Sequence, residues 1–276
     1  MSLVDTHCHI TMMVKENEAI NRPLTEKEIT HALTIVQEAQ RHNVTTMINV
    51  GTNYIESLNS ILLAKASPSI RASIGLHPND ATSSWKDEFH LIKKLLTSHF
   101  NYIVAIGEVG IDLYRNQNTL ALQNDVFQAQ IELALEFQLP LIIHTRNAAE
   151  ETYTMLEKYR HEPLRGIIHC FSEDYSFAQA VLSMGFMIGI GGTITYPKNE
   201  LLREVVQKTS LEHIVLETDA PFLPPQIIRG KQNHPLYIET IANFIAELLD
   251  VSPEIVAERT TKNALSLFMI HPSFQN

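Results

Sequence analysis

The feature that most limits what this chain can become is an alternation. Short runs rich in Ile, Val and Leu recur around Val4 and at 47–50, 70–75, 103–106, 141–143, 166–169, 187–190 and 214–216. Each run is apolar on both faces, the pattern of a parallel strand covered on both sides. Parallel neighbours need a crossover connection. The stretches between the runs have the 3.6-residue period of an amphipathic helix, which supplies it. Thr25-Glu26-Lys27-Glu28 reads as a capping box opening a helix with Ile29, Leu33 and Val36 inward. The longest helical stretch runs from Leu120 to Phe137. Others are predicted at 53–66, from Phe89 to Leu96, and at 150–159, 175–184, 199–208 and 236–249. Eight strand–helix repeats predict an α/β fold, a (β/α)8 TIM barrel, with 252–269 as an extra C-terminal helical segment. A length of 276 residues, 45% of them hydrophobic, suits one such barrel spanning 1–276.

Composition removes several classes of function. No apolar run approaches the ~20 residues of a membrane span. The first run is too short and too soon interrupted by charge to be a secretory leader. A cytoplasmic protein with no membrane association is therefore expected. Two cysteines, Cys8 and Cys170, do not make a disulfide framework. Each follows a strand-end histidine, so alternation is expected to turn both toward the helix layer. The formal charge of −10 argues against a protein that holds long duplexes by backbone phosphates alone. Bound cations and a few local Arg and Lys could supply the positive field instead.

Barrel enzymes build their sites where strands end. The first strand ends in His7 and His9, two residues apart and so on one face. The fourth leads to Glu108, the fifth to His144, the sixth to His169 and the eighth to Glu217 and Asp219. Of the 13 histidines, His31, His42, His90, His99, His161 and His271 fall on helices or loops, and His213 sits at the opposite end of its strand. Six nitrogen and oxygen ligands exceed what one tetrahedral ion takes, and suit two divalent ions ~3.5–4 Å apart. His7, His9, Glu108 and Asp219 are assigned to one ion, and Glu108, His144 and His169 to the other, with Glu108 bridging. A water between the ions would become the nucleophilic hydroxide, with Asp219 both a ligand and the proton acceptor. Glu217 shares the face of Asp219 and either orients a ligand or packs more deeply. The donor mixture suits Zn²⁺, Mn²⁺, Ni²⁺ or Fe²⁺, with Mg²⁺ less natural against so many imidazoles.

Around this mouth stand groups suited to an anionic substrate. Arg146 and Arg115 could hold a phosphate bidentately or form surface ion pairs. Gly191-Gly192-Thr193 follows the seventh strand and either offers backbone N–H groups to phosphate or makes a tight turn. Lys198 and Lys231 could extend a positive rim, and His77 could orient substrate or a water. Trp85 and Tyr114 are isolated aromatics on loops, and no ladder for stacking single strands stands out.

The motifs that gather these residues are Asp5-Thr6-His7-Cys8-His9, Ile74-Gly75-Leu76-His77-Pro78, 107–112 with Glu108 and Asp112, His144-Thr145-Arg146, His169-Cys170-Phe171-Ser172 and Glu217-Thr218-Asp219-Ala220-Pro221. In this order, over nearly the whole chain, they resemble the TatD family of metal-dependent deoxyribonucleases, among the amidohydrolase-like barrels. The resemblance implies a TIM-type barrel, a divalent metal centre and phosphodiester hydrolysis, often 3′→5′ exonucleolytic on DNA. It carries the ligand set onto His7, His9, Glu108, His144, His169 and Asp219. It implies DNA or other nucleic-acid chain ends as substrate, and no stable protein partner. One place departs: where the family usually reads Asn-Glu-Pro, this chain has Asn233-His234-Pro235. His234 could bind phosphate or cap the next helix. The alternative function is hydrolysis of a carbonyl substrate (an amide, a lactone or an aminoacyl ester), since the same hydroxide attacks either centre.

Overall fold

The computed structural model describes residues 2–15, 21–115 and 119–270. His271 lies outside them. The strands are β1 Leu3–Cys8, β2 Val44–Val50, β3 Ile70–Ile74, β4 Ile103–Asp112, β5 Leu141–Arg146, β6 Gly166–Ile168, β7 Phe186–Ile190 and β8 Ile214–Leu216. They pair in parallel, in sequence order, in one eight-stranded sheet. The helices are α1 Ile10–Val14, α2 Glu26–Arg41, α3 Tyr54–Ala66, α4 Trp85–His99, α5 Leu120–Phe137, α6 Ala149–Glu157, α7 Tyr175–Ser183, α8 Glu200–Lys208, α9 Ile238–Leu249 and α10 Pro253–Leu267. This is the expected TIM barrel, with α10 as the extra C-terminal helix.

Local signals explain where elements begin. Thr25 caps α2: its hydroxyl accepts from Glu28 N at 3.3 Å, and Glu28 Oε2 accepts from Thr25 N at 2.8 Å. Asn53 caps α3 by accepting from Glu56 N. Trp85 is not a loop residue but the first of α4, where its ring lies against Phe89 at 5.9 Å. The short α1, directly after His9, was not foreseen. β4 runs six residues further than its apolar core suggests, because Gly107 and Gly110 are not strand breakers here. A Cβ on Gly110 would stand 2.0 Å from His144 O, and one on Gly107 2.6 Å from Ile142 Cβ. Glycine lets β4 press against β5, and the extension carries Glu108 and Asp112 into the mouth.

Apolar side chains fill the barrel as two layers. An inner cluster of Val4, Ile48, Val104, Ile142, Ile167 and Val215 is continued by Leu267, Phe268 and Ile270 from the end of α10 and just beyond it. The C-terminal helix therefore plugs the strand-entry end, leaving the exit end open for chemistry. The larger cluster, including Met47, Ile70, Phe127 and Ile131, lies between sheet and helices.

The sheet closes between β1 and β8 without a ladder pair among the described residues. Side chains and loop backbone join the seam instead. Thr6 Oγ1 donates to Leu216 O at 3.0 Å, and Thr218 donates to Asp5 through its N–H at 3.0 Å and its hydroxyl at 2.5 Å. Asp219 N donates to His7 O at 2.9 Å, and His9 N to Ala220 O at 2.7 Å. Asp5 is wholly buried here, and burial pushes its carboxyl up to about 8, against the bonds from Thr218.

Candidate metal centre

The mouth holds a cavity of roughly 960 Å³, with His9, His144, His169, Glu108 and Asp219 on its wall and His7 just beneath. His7 Nε2 and His9 Nε2 stand 3.0 Å apart. His7 Nε2 lies 3.6 Å from Glu108 Oε2 and 3.7 Å from Asp219 Oδ1; for His9 Nε2 the distances are 3.7 and 3.5 Å. Four donors bound at ~2.1 Å in a tetrahedron would stand about 3.4 Å from one another. This cluster therefore has the spacing of ligands around one cation. The tautomers agree. His9 Nδ1 is 3.1 Å from Val50 O, which places its proton there and turns the Nε2 lone pair inward. His7 Nδ1, on the far side of its ring, is buried without a hydrogen-bond partner.

A second cluster lies on the other oxygen of Glu108. His144 Nδ1 is 2.9 Å from Glu108 Oε1, His77 Nε2 3.5 Å and His169 Nε2 3.8 Å. His169 Nε2 is also 3.9 Å from Asp219 Oδ1, and its ring stacks on that of His7 at 3.5 Å. Glu108 thus faces both groups, one oxygen to each. His77 differs from the other imidazoles. Its Nδ1 accepts from Asn79 N at 3.1 Å, so the neutral ring turns an N–H, not a lone pair, toward Glu108.

Burial and charge set the protonation of the cation-free cluster. Burial favours neutral His169, but Glu217, Asp219 and Glu108 outweigh it and raise the ring to about 10. His9 and His144 are raised on the same terms, against burial, by the carboxylates beside them. His7 is held well below the usual imidazole range by burial and by His169. Glu108 stays ionised despite its burial because His77 and His144 hold it there. A cluster that draws protons onto its imidazoles in this way is one that a divalent cation can fill in their place.

Glu217 is wholly buried beneath His169. Its Oε1 lies 2.9 Å from His169 Nδ1 and accepts from Cys170 N at 2.5 Å. It braces His169 from below, the position that the first of its two expected roles requires. Asp112, present in the 107–112 motif but given no role from the sequence, does the same for His144: Oδ2 is 3.3 Å from His144 Nε2 and accepts from Asn79 Nδ2 at 2.8 Å. Its signal was available, since Glu108 and Asp112 are separated by an even number of residues on one strand.

The rim divides the remaining expectations. Arg115, Arg146 and Lys198 line the cavity with Thr193, Tyr196 and Arg229. Gly192 does not; a Cβ there would meet Leu223 O at 2.6 Å, so the glycine serves a tight packed turn. Lys231 is exposed away from the cavity. His234 is also outside it: Nδ1 accepts from Leu236 N at 3.1 Å, and Nε2 lies 3.2 Å from Glu38 Oε2. It caps the short turn Pro235–Tyr237 that leads into α9. Cys170 corrects a further expectation. It lines the cavity rather than facing the helices, because a left-handed backbone (φ 47°) breaks the strand alternation directly after His169. Cys8 is buried and donates to Ile48 O.

An eight-stranded parallel barrel with imidazoles and carboxylates gathered at its strand ends defines a metal-dependent hydrolase. The chain belongs to the TatD family: the family model TatD related DNase matches residues 4–269. It is 34% identical, over 98% of its length and 100% of the relative's, to YabD of Bacillus subtilis, described as an uncharacterized metal-dependent hydrolase. It is 34% identical to the 3′-5′ ssDNA/RNA exonuclease TatD of Pantoea vagans, over 86% of this chain and 92% of that one. The crystal structure of the TatD homolog YJJV from Escherichia coli superposes with a TM-score of 0.87 at 26% identity, covering 98% of each chain. No helix among the described residues is long and apolar enough to cross a membrane.

Proposed function

We propose that this protein is a 3′→5′ exonuclease that shortens DNA strands with two divalent cations, the chain acting as one catalytic unit. The observation that carries this reading is Glu108, one oxygen turned to the His7–His9–Asp219 cluster and the other to His144 and His169. His7, His9, Glu108 and Asp219 would hold one cation, and Glu108, His144 and His169 the other. Bound there, Zn²⁺, Mn²⁺, Ni²⁺ or Mg²⁺ would supply charge for the phosphoryl oxygens and acidify a water. The rest falls to the chain. Asp219, 13% exposed at its side chain, is placed to take the water's proton. The exposed guanidinium of Arg146 lines the cavity and would donate to oxygens on phosphorus as negative charge develops, while the His77 N–H holds Glu108. Arg115 and Lys198 stand on the same wall, where the next phosphate of a strand would lie.

The test is shortening of 5′-labelled single-stranded DNA by the purified protein with Mg²⁺ or Mn²⁺. Activity should vanish in a chelator and fall at least ~1,000-fold in Glu108→Gln, which keeps the shape and removes the shared charge. A variant of undiminished activity would defeat the reading. So would a preference above ~100-fold for a lactone or an aminoacyl ester over DNA, which would make this a carbonyl hydrolase.

A further inference from the structure

An apolar lip overhangs the cation cluster on the β8 side, and neither the fold nor the hydrolytic chemistry accounts for it. Phe222 is 49% exposed on the cavity wall, its ring 6.0 Å from that of His9 and turned 67° to it. Leu223 beside it is also exposed. Exposed aromatics on loose loops need no explanation, but this loop is braced. Phe222 N donates to Asp219 O at 2.8 Å, and Phe222 O accepts from Asn233 Nδ2 at 2.7 Å, with Asn233 wholly buried. Tyr196 Oη donates to Pro224 O at 2.9 Å, and the Arg229 guanidinium lies over the Tyr196 ring, 4.4 Å from its centre. Three prolines at 221, 224 and 225 stiffen the turn further.

An apolar ring left half exposed on a cavity wall and carried by a braced loop is pre-organised for a ligand. The ligand's chemistry follows from what surrounds it. The cluster would take a phosphodiester, arginines line the same cavity, and the ring beside His9 is flat and aromatic. Every nucleobase has a π-face that stacks on such a ring without regard to sequence. On this basis, and resting on the nuclease reading above, we infer that Phe222 is a stacking platform for the unpaired base flanking the scissile phosphodiester. Leu223 widens the platform and Arg229 closes its outer side. A base within a duplex is already paired and stacked, so the platform selects frayed or single-stranded ends. Phe222 thereby determines specificity and binding and takes no part in bond cleavage.

The experiment compares two 5′-labelled single strands in the metal-loaded protein. One is intact; the other carries tetrahydrofuran abasic residues at its last two 3′ positions. The wild type should favour the intact strand by at least ~10-fold in kcat/KM, mostly through KM. Phe222→Leu keeps the bulk and loses the ring face, and should bring that ratio to within about 2-fold of unity. Phe222→Trp should keep it, and Phe222→Ala should behave as Leu. Single-strand over blunt-duplex preference should shrink in parallel with the ratio. If the Leu variant retains the full intact-to-abasic ratio while both rates drop, Phe222 is only a structural brace and the inference is overturned. If the wild type degrades both strands equally, the platform is refuted while the nuclease reading stands. If it degrades neither, the nuclease reading has failed and the platform with it.

Discussion

Glu217→Gln tests whether the residues beneath the cluster matter as much as those that face it. The carboxylate is wholly buried behind His169 and Cys170 and is not itself part of the cavity wall. Glutamine has its shape, and its Oε1 can still accept from Cys170 N beside His169, so the geometry survives and only the charge is lost. The carboxylates around His169 raise it from 6.5 to about 10 against burial, a net effect on the order of 5 kcal/mol. Glu217 is the foremost of the three carboxylates, and its loss weakens the field that favours positive charge at the ring. A cation bound at Nε2 draws on the same field, so the expected loss of metal affinity is about 10- to 100-fold. Competition with a chromogenic chelator, followed by activity against free metal concentration, measures this directly. Activity should be recoverable by raising the metal concentration. A variant that binds within about 2-fold of the wild type would refute the reasoning, since the buried charge would then act only in packing.

The other predictions concern neighbours of the same site. Gly189→Ala places a Cβ 2.4 Å from Glu217 Oε2, so it should reproduce the metal-affinity loss from outside the cavity and lower stability by about 1–3 kcal/mol in thermal unfolding. Asn233→Ala removes both bonds that Asn233 Nδ2 makes, to Thr218 O and Phe222 O at 2.7 Å each, and should cost about 2–4 kcal/mol in denaturant titration, with no cost if water replaces the amide. Metal binding at neutral pH should release protons, since His9, His144 and His169 are raised; calorimetry in buffers of different ionisation enthalpy counts them, and a count of zero would contradict the protonation scheme. In the chelated protein, His169 has a folded pKa above its unfolded one. Its contribution to stability is present below about pH 6.5 and is lost as the pH rises through about 10, so thermal midpoints should fall over that window and the fall should be reduced in His169→Gln.

What the sequence disclosed, and what it hid, has a physical pattern. Strand positions were legible because a parallel barrel buries both faces of each strand, and the α2 start because its cap is a local reciprocal pair. Glu108 was identified as a site residue, yet its strand seemed to end before it. Glycines that permit close backbone approach look the same in sequence as glycines that end a strand. Asp112 was hidden for that reason. Cys170 was misplaced because alternation was extended one residue past a left-handed turn, and nothing in a single sequence marks that turn. Lys231 and His234 lay close to the mouth along the chain but not in space. Phe222 and Tyr196 escaped notice because stacking surfaces come from loops braced by distant partners such as Asn233.

The seam between the first and last strands has a consequence for how such a protein comes into being. Thr6 and Leu216 meet across 210 positions of chain, and the pairing that joins them also brings Asp219 to His7. During synthesis His7 and His9 are made more than 200 positions ahead of Asp219, and the cluster lacks its closing carboxylate until that residue has been added. A chain that stops before Asp219 therefore cannot complete the cluster, and a cation bound at the junction would tie the two ends of the barrel together.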